Sequence, residues 1–201
     1  MANAVAGKVL SEAIWQTAGT RLWVKRGVLV ILGIALLALS AKIKVPLPYS
    51  PVPMTMGTFA VLTIGAAYGA RLGLATILGY LALGAAGYDV FAGSSAETFG
   101  LDYMRGGTGG YLVGYVLATI ALGALARRGW DRGVLRMALA LVIGNALIYV
   151  PGLLWLGQLY GWDQPILAWG LTPFLLGDAV KLALTALLLP AVWKAVGSAR
   201  R

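Results

Sequence analysis

A chain of 201 residues that is 60% hydrophobic and only 11% charged, with a mean hydropathy of +0.83, lies outside the range of water-soluble domains and in the membrane class. Its 16 Lys and Arg against 7 Asp and Glu give a formal charge of +9, which taken alone would suggest nucleic acid; the placement of the cations explains it as membrane topology, and no nucleic-acid partner is expected. The absence of cysteine excludes disulfides and thiolate chemistry, and the absence of histidine removes the commonest general base and metal ligand, so no metal or cofactor is expected.

Residues 1–26 carry Trp15 and Trp23 among Arg21, Lys25 and Arg26, the composition of an interfacial segment or of a mobile tail. No basic region followed by a short apolar core and a small-residue cleavage site is seen there, so no removable signal peptide is expected. Six stretches are then apolar and long enough to cross a hydrocarbon core about 30 Å thick: 27–43, 54–70, 72–88, 107–126, 134–158 and 168–194. Only Ala70, Arg71 and Leu72 separate the second from the third, which demands a very tight hairpin. The expected fold is an all-α membrane protein of six transmembrane helices, with an N-terminal segment 1–26, a transmembrane domain 27–196 and a tail 197–201.

Twelve cations fall on one side of that arrangement: Lys8, Arg21, Lys25, Arg26, Arg71, Arg127, Arg128, Arg132, Arg136, Lys194, Arg200 and Arg201. The other side holds Lys42, Lys44 and Arg105 with Asp89, Glu97, Asp102 and Asp163, so the positive-inside rule places both termini in the cytoplasm.

Two outward loops are not ordinary connectors. Between the first and second spans, Pro46, Pro48, Pro51 and Pro53 stand within eight residues, which forbids regular helix and stiffens an extended path. An apolar segment that cannot satisfy its own backbone must pack over protein or line a cavity at the membrane edge, so it is read as a lid over a pocket or as a stiff surface loop. The second loop, 89–107, contains Phe91-Ala92-Gly93-Ser94-Ser95 and leads through Arg105 into Gly106-Gly107-Thr108-Gly109-Gly110-Tyr111. That glycine run lacks the lysine and hydroxyl ending of a P-loop and the third glycine of a dinucleotide turn. It serves close helix packing, an anion at the helix N-terminus beside Arg105, or both.

The last span carries Asp178 and Lys181 in Gly-Asp-Ala-Val-Lys. Each alone costs about 2.5–3.5 kcal/mol at the centre of a membrane helix, so both are expected to face the bundle interior. A spacing of three puts them on one helix face, where they serve as a structural ion pair or share a polar ligand.

The ordered set Pro51-Val52-Pro53-Met54-Thr55-Met56-Gly57-Thr58-Phe59-Ala60-Val61-Leu62, Gly69-Ala70-Arg71-Leu72-Gly73, Gly79 to Gly87, Val90-Phe91-Ala92-Gly93, Gly106 to Tyr115 and Gly177-Asp178-Ala179-Val180-Lys181 resembles the BioY family, the biotin-binding S components of energy-coupling-factor (ECF) transporters. The likeness covers residues 40–195, with departures at Gly57, Asp89 and Gly107, where the family usually has glutamine, proline and proline. It implies biotin uptake across a prokaryotic cell membrane, no enzymatic activity, and partnership with a transmembrane coupling subunit and two ABC-type ATPases. Docking is implied through small residues of the first helix, here Gly33, Ala35, Ala38 and Ala41. In the implied site Asp178 accepts from the ureido N–H groups of biotin, while Lys181 donates to the ureido oxygen or supports Asp178. Arg105 meets the carboxylate, and Tyr111, Phe91, Tyr49 and Asn145 are further candidates, as membrane-interface anchors or helix-to-helix contacts in their bland reading. Other functions left open are a solitary or ion-coupled carrier and an intramembrane enzyme using Asp178, although Asp89, Glu97, Asp102 and Asp163 all lie in outer loops and neither internal repeats nor broken helices are evident.

Overall fold

In a hydrocarbon environment a chain must satisfy every backbone N–H and C=O within itself, and the long apolar runs of this sequence do so as helices. The computed structural model describes residues 7–15, 19–45, 47, 49–93 and 98–198. Its elements are α1 (Leu10–Ile14), α2 (Thr20–Lys42), β1 (Lys44–Val45), β2 (Met54–Thr55), α3 (Gly57–Ala85), α4 (Gly100–Arg105), α5 (Gly109–Arg127), α6 (Val134–Tyr160), α7 (Ile166–Gly170) and α8 (Leu175–Ser198). Among the described residues five stretches are long and apolar enough to cross a membrane: α2, α3, α5, α6 and the run Ile166–Gly197 that contains α7 and α8.

Six separate spans are expected from the sequence, and the difference lies in α3. Its helical path is broken at Gly69, whose φ of 77° and ψ of 170° belong to a region essentially confined to glycine. Beyond it the chain reverses. A Cβ placed on Gly73 would stand 3.6 Å from the Gly65 Cα, whereas residues eight apart along one straight helix are about 12 Å apart. Thus α3 is a hairpin with arms 57–68 and 70–85, turning on one residue rather than on the expected Ala70, Arg71 and Leu72. The α5 helix packs against this turn so closely that a Cβ on Gly123 would collide with the Ala70 backbone.

The last span also departs from the expected 168–194. Pro173, which offers no N–H, lies in a 3₁₀ turn over Thr172–Phe174, and the continuous helix starts only at Leu175. Asp178 therefore occupies the first turn of α8, where the exposed helix amides favour a negative charge. At the other boundary, α2 begins at Thr20, seven residues before the expected 27. Its buried residues include Gly33 and Ala41, which face inward; a Cβ on Gly33 would press on Thr76 at 2.6 Å, while Ala35 is exposed.

The two ends of the bundle differ in chemistry. At one end the 7–15 segment lies under the Gly69 turn, with Val9, Leu10 and Ala13 buried. Arg127 donates to the Glu12 carboxylate at 2.8 Å, and Arg132 donates to the Lys8 carbonyl at 3.3 Å. Trp193 of α8 donates its indole N–H to the buried Asp131 carboxylate at 2.6 Å. The opposite end carries the β1–β2 hairpin, in register Lys44 to Thr55 and Val45 to Met54, together with α4, α7 and the loop after α3. There Lys42 pairs with Asp89 and donates to the Phe91 carbonyl at 2.8 Å, anchoring that loop to the end of α2.

Gly69→Ala is expected to lower the stability of the detergent-purified protein by about 1–3 kcal/mol, because alanine must be held in a glycine-only conformation and its methyl would meet Val9 at 3.0 Å. An unchanged thermal or denaturant midpoint would show that the turn relaxes freely.

Candidate functional site

The site is built at the end that carries the hairpin, around the first turn of α8. Asp178 and Lys181 are 3% and 6% exposed, and their side chains pair at 3.0 Å. Lys181 donates its other protons to the Thr55 carbonyl at 2.6 Å and the Thr58 hydroxyl at 3.1 Å. All three protons of the ammonium are thereby engaged. The second carboxylate oxygen of Asp178 accepts from the Tyr149 hydroxyl at 2.6 Å and the Asn145 amide at 3.1 Å. A carboxylate offers about four acceptor positions, and three are occupied by protein. The open one is on Oδ1, the oxygen shared with Lys181. Behind this layer the Asn145 side-chain oxygen is buried without a partner among the described residues.

Sequence rules explain the convergence. Pro51 and Pro53 keep α3 from starting earlier, so Thr55 remains in a two-residue strand with a carbonyl that no helix consumes. Asn145 and Tyr149 are four apart on α6 and share a face.

The polar cluster forms one wall of a cavity otherwise lined by Tyr80, Phe91, Tyr103, Tyr111, Tyr115, Leu112, Ile148 and Phe174, with Val52 and Pro53 of the proline-rich loop. Phe91 stacks on Tyr103 with ring centroids 4.9 Å apart and meets Tyr80 edge-on at 5.3 Å. That packing needs Gly84, since any Cβ there would enter the Phe91 ring. Tyr111 meets Tyr149 edge-on at 6.2 Å and donates its hydroxyl to the Gly170 carbonyl at 2.8 Å. Thr55, Thr58 and Thr108 are the small polar residues of the lining. The room between these walls is about 60 Å³, enough for a few water molecules, so a larger ligand enters only if side chains or the proline-rich loop give way.

Of the residues expected from sequence, Asp178, Lys181, Tyr111 and Phe91 line this cavity, and Asn145 supports Asp178 from α6. Arg105 ends α4 with an exposed side chain outside the lining, although Thr108, three residues on, is within it. Tyr49 is 88% exposed and points away, because Ser50 turns inward to donate to the Trp169 carbonyl at 2.7 Å. Pro46, Pro48, Ser94, Ser95 and Glu97 lie outside the described residues. Sequence reasoning missed Tyr149, Tyr115, Tyr80, Tyr103, Thr55 and Thr58. A usable signal existed for two of them: Tyr149 follows Asn145, and Tyr115 follows Tyr111, by one helical repeat.

An aromatic cavity with one buried ion pair, set in a bundle of apolar helices, defines a membrane protein built to enclose a small polar-headed molecule. The BioY family model matches residues 11–198, and the chain belongs to the BioY family. It is 37% identical over 155 residues to the probable biotin transporter BioY of Pyrococcus horikoshii, covering 77% of this chain and 88% of that one. It is 31% identical over 154 residues to the biotin transporter BioY of Thermotoga maritima, covering 77% and 87%. Its fold matches the crystal structure of the S-component for biotin from an ECF-type ABC transporter with a TM-score of 0.74, at 20% identity, over 89% of this chain and 95% of that one. With transporters as relatives and several membrane-length helices, the chain is a multi-pass membrane protein.

Lys181→Met is expected to destabilise the protein by about 3–5 kcal/mol, since it strands a buried carboxylate. Adding Asp178→Leu removes the stranded charge and should recover part of that loss in a double-mutant cycle. Additive losses in the two single variants and the double would show that the residues do not act as a pair.

Proposed function

We propose that this chain captures biotin at the outer face of a prokaryotic cell membrane, as the S component of an ECF-type transporter, and hands it to a separate coupling subunit driven by two ABC-type ATPases. In this reading the hairpin of α3 counts as two crossings, giving six, and both termini with the cationic end of the bundle are cytoplasmic. The chain itself performs no chemistry on its cargo. The observation that carries the proposal is the buried Asp178 carboxylate with one acceptor position left open in an aromatic cavity. Family membership identifies the ligand class that fits it.

Biotin presents two ureido N–H donors on a compact apolar bicycle, with a flexible tail ending in a carboxylate. One N–H takes the open position on Asp178 Oδ1 as a charge-assisted hydrogen bond. Lys181, whose protons are committed to Thr55, Thr58 and Asp178, acts as the support of Asp178 rather than as a donor to the ureido oxygen. The ring system packs among Phe91, Tyr103, Tyr111 and Phe174, and the tail leaves toward the α4–α5 junction, where Arg105 meets its carboxylate at the mouth. A ligand lacking the ureido group gains nothing from the carboxylate and is rejected. Val52 and Pro53 sit over the cavity, and the Ser50 bond to Trp169 ties their loop to α7, so this loop is the lid that opens to admit ligand.

Equilibrium binding of labelled biotin to the detergent-purified protein tests the reading. Asp178→Asn should weaken binding by roughly several hundred-fold, while Arg200→Glu, in the tail beyond the described residues, should leave it unchanged. A folded Asp178→Asn protein that binds biotin like the parent, or a parent that does not bind biotin at all, would refute the assignment.

Arg105→Ala should weaken biotin more than biotin amide, because only the anion gains from a guanidinium. Equal losses for both ligands would assign Arg105 a purely structural part in the loop.

A further inference from the structure

The cationic end of the bundle contains a second cleft, about 1030 Å³ in size, between α1, the start of α2, the Gly69 turn and the end of α5. Four cations line it, Lys25, Arg26, Arg71 and Arg127, against the single carboxylate of Glu12. That carboxylate is already held by Arg127 at 2.8 Å. Lys25 is 4% exposed and donates to the Ser11 carbonyl at 2.8 Å and to the Trp15 carbonyl, so its hydrogen-bond partners are neutral and the Glu12 carboxylate is the negative charge near it. Arg71 is exposed and makes no hydrogen bond or ion pair among the described residues. The Arg26 guanidinium lies 5.2 Å from the centre of the Trp23 ring, and Trp23 is itself 71% exposed.

The other half of the cleft is apolar, walled by Leu22, Val30 and Leu72. Beyond Val30 along α2, Ile31 and Leu32 are 68% and 58% exposed. This helix is the least enclosed of the five long apolar stretches. The combination is specific. A net positive pocket selects an anion, an exposed tryptophan beside an arginine marks headgroup depth, and an apolar continuation onto a membrane-facing helix fits acyl chains. A soluble phosphate would use only the cationic half.

We propose that this cleft binds an anionic phospholipid, with the phosphate between Arg26 and Arg71, the headgroup against Trp23 and an acyl chain along α2 beside the second arm of α3. The lipid would brace α2 against the bundle at the end opposite the ligand cavity. The proposal does not depend on the identity of the cavity's ligand.

Native mass spectrometry of the full detergent-solubilised chain tests it, with phosphatidylglycerol and phosphatidylcholine of equal acyl length offered in equal amounts. Wild-type protein should retain phosphatidylglycerol in clear preference. The preference should fall roughly fivefold for each of Arg26→Gln and Arg71→Gln, and Arg136→Gln, outside the cleft, should keep it. Arg71→Gln removes no hydrogen bond or ion pair among the described residues, so unchanged melting is expected alongside the lost preference. Excess inorganic phosphate should not displace the lipid. Equal retention of the two lipids, an undiminished preference in the double arginine variant, or displacement by inorganic phosphate at matching concentration would overturn the proposal; the last outcome would assign the cleft to a free anion.

Discussion

An ammonium and a carboxylate buried among apolar helices must have nearly every proton and lone pair answered, because the effective cost of burying an unpaired ion is several kcal/mol even after relaxation. Asp178 and Lys181 impose this constraint, and much of the architecture at their end of the bundle meets it. Helices have few spare backbone acceptors in their interiors, so the Lys181 proton that reaches the Thr55 carbonyl requires non-helical chain at that depth. The prolines of the preceding loop ensure it. Tyr149 and Asn145 come from α6 to the other carboxylate oxygen, which joins α8, α6 and the start of α3 through one charge pair. Pro173 interrupts the last span so that Asp178 falls in the first turn of α8, where the helix dipole contributes about 0.3–1 kcal/mol in its favour.

The same constraint separates the chemistry of the two ends. Around the pair the walls are aromatic rings, and two of the tyrosine hydroxyls are turned to backbone carbonyls, Tyr80 to Val90 and Tyr111 to Gly170. The charge inside the cavity is concentrated on Asp178 and Lys181. At the far end the positive charges sit on helices and loops; Lys25 and Arg132 donate to backbone carbonyls and Arg127 to the Glu12 carboxylate.

Much of this was legible in the sequence, and the exceptions have physical reasons. Hydropathy located the apolar stretches because the bilayer demands a minimum length, and the Asp178–Lys181 pair was visible because charges in such runs are rare. The turn inside α3 was expected three residues long, yet one glycine suffices, since a positive φ reverses the chain without a loop. Tyr149 escaped notice because an aromatic residue in an apolar helix reads as core; only its spacing from Asn145 distinguishes it. Tyr49, a further candidate from sequence, is exposed beside Ser50, whose hydroxyl bonds inward to the Trp169 carbonyl, a long-range contact that no local pattern predicts. Asp89, a departure from the usual family pattern, found a partner in Lys42, a pairing 47 residues apart that no local rule predicts.

The most direct measurement is a crystal structure of this chain with biotin bound, read at Asp178. A ureido nitrogen should lie about 2.7–3.0 Å from Asp178 Oδ1, with the Tyr149 and Lys181 hydrogen bonds to that carboxylate retained. A ureido ring seated elsewhere, with Asp178 still contacted only by Lys181, Tyr149 and Asn145, would contradict the role assigned to the pair.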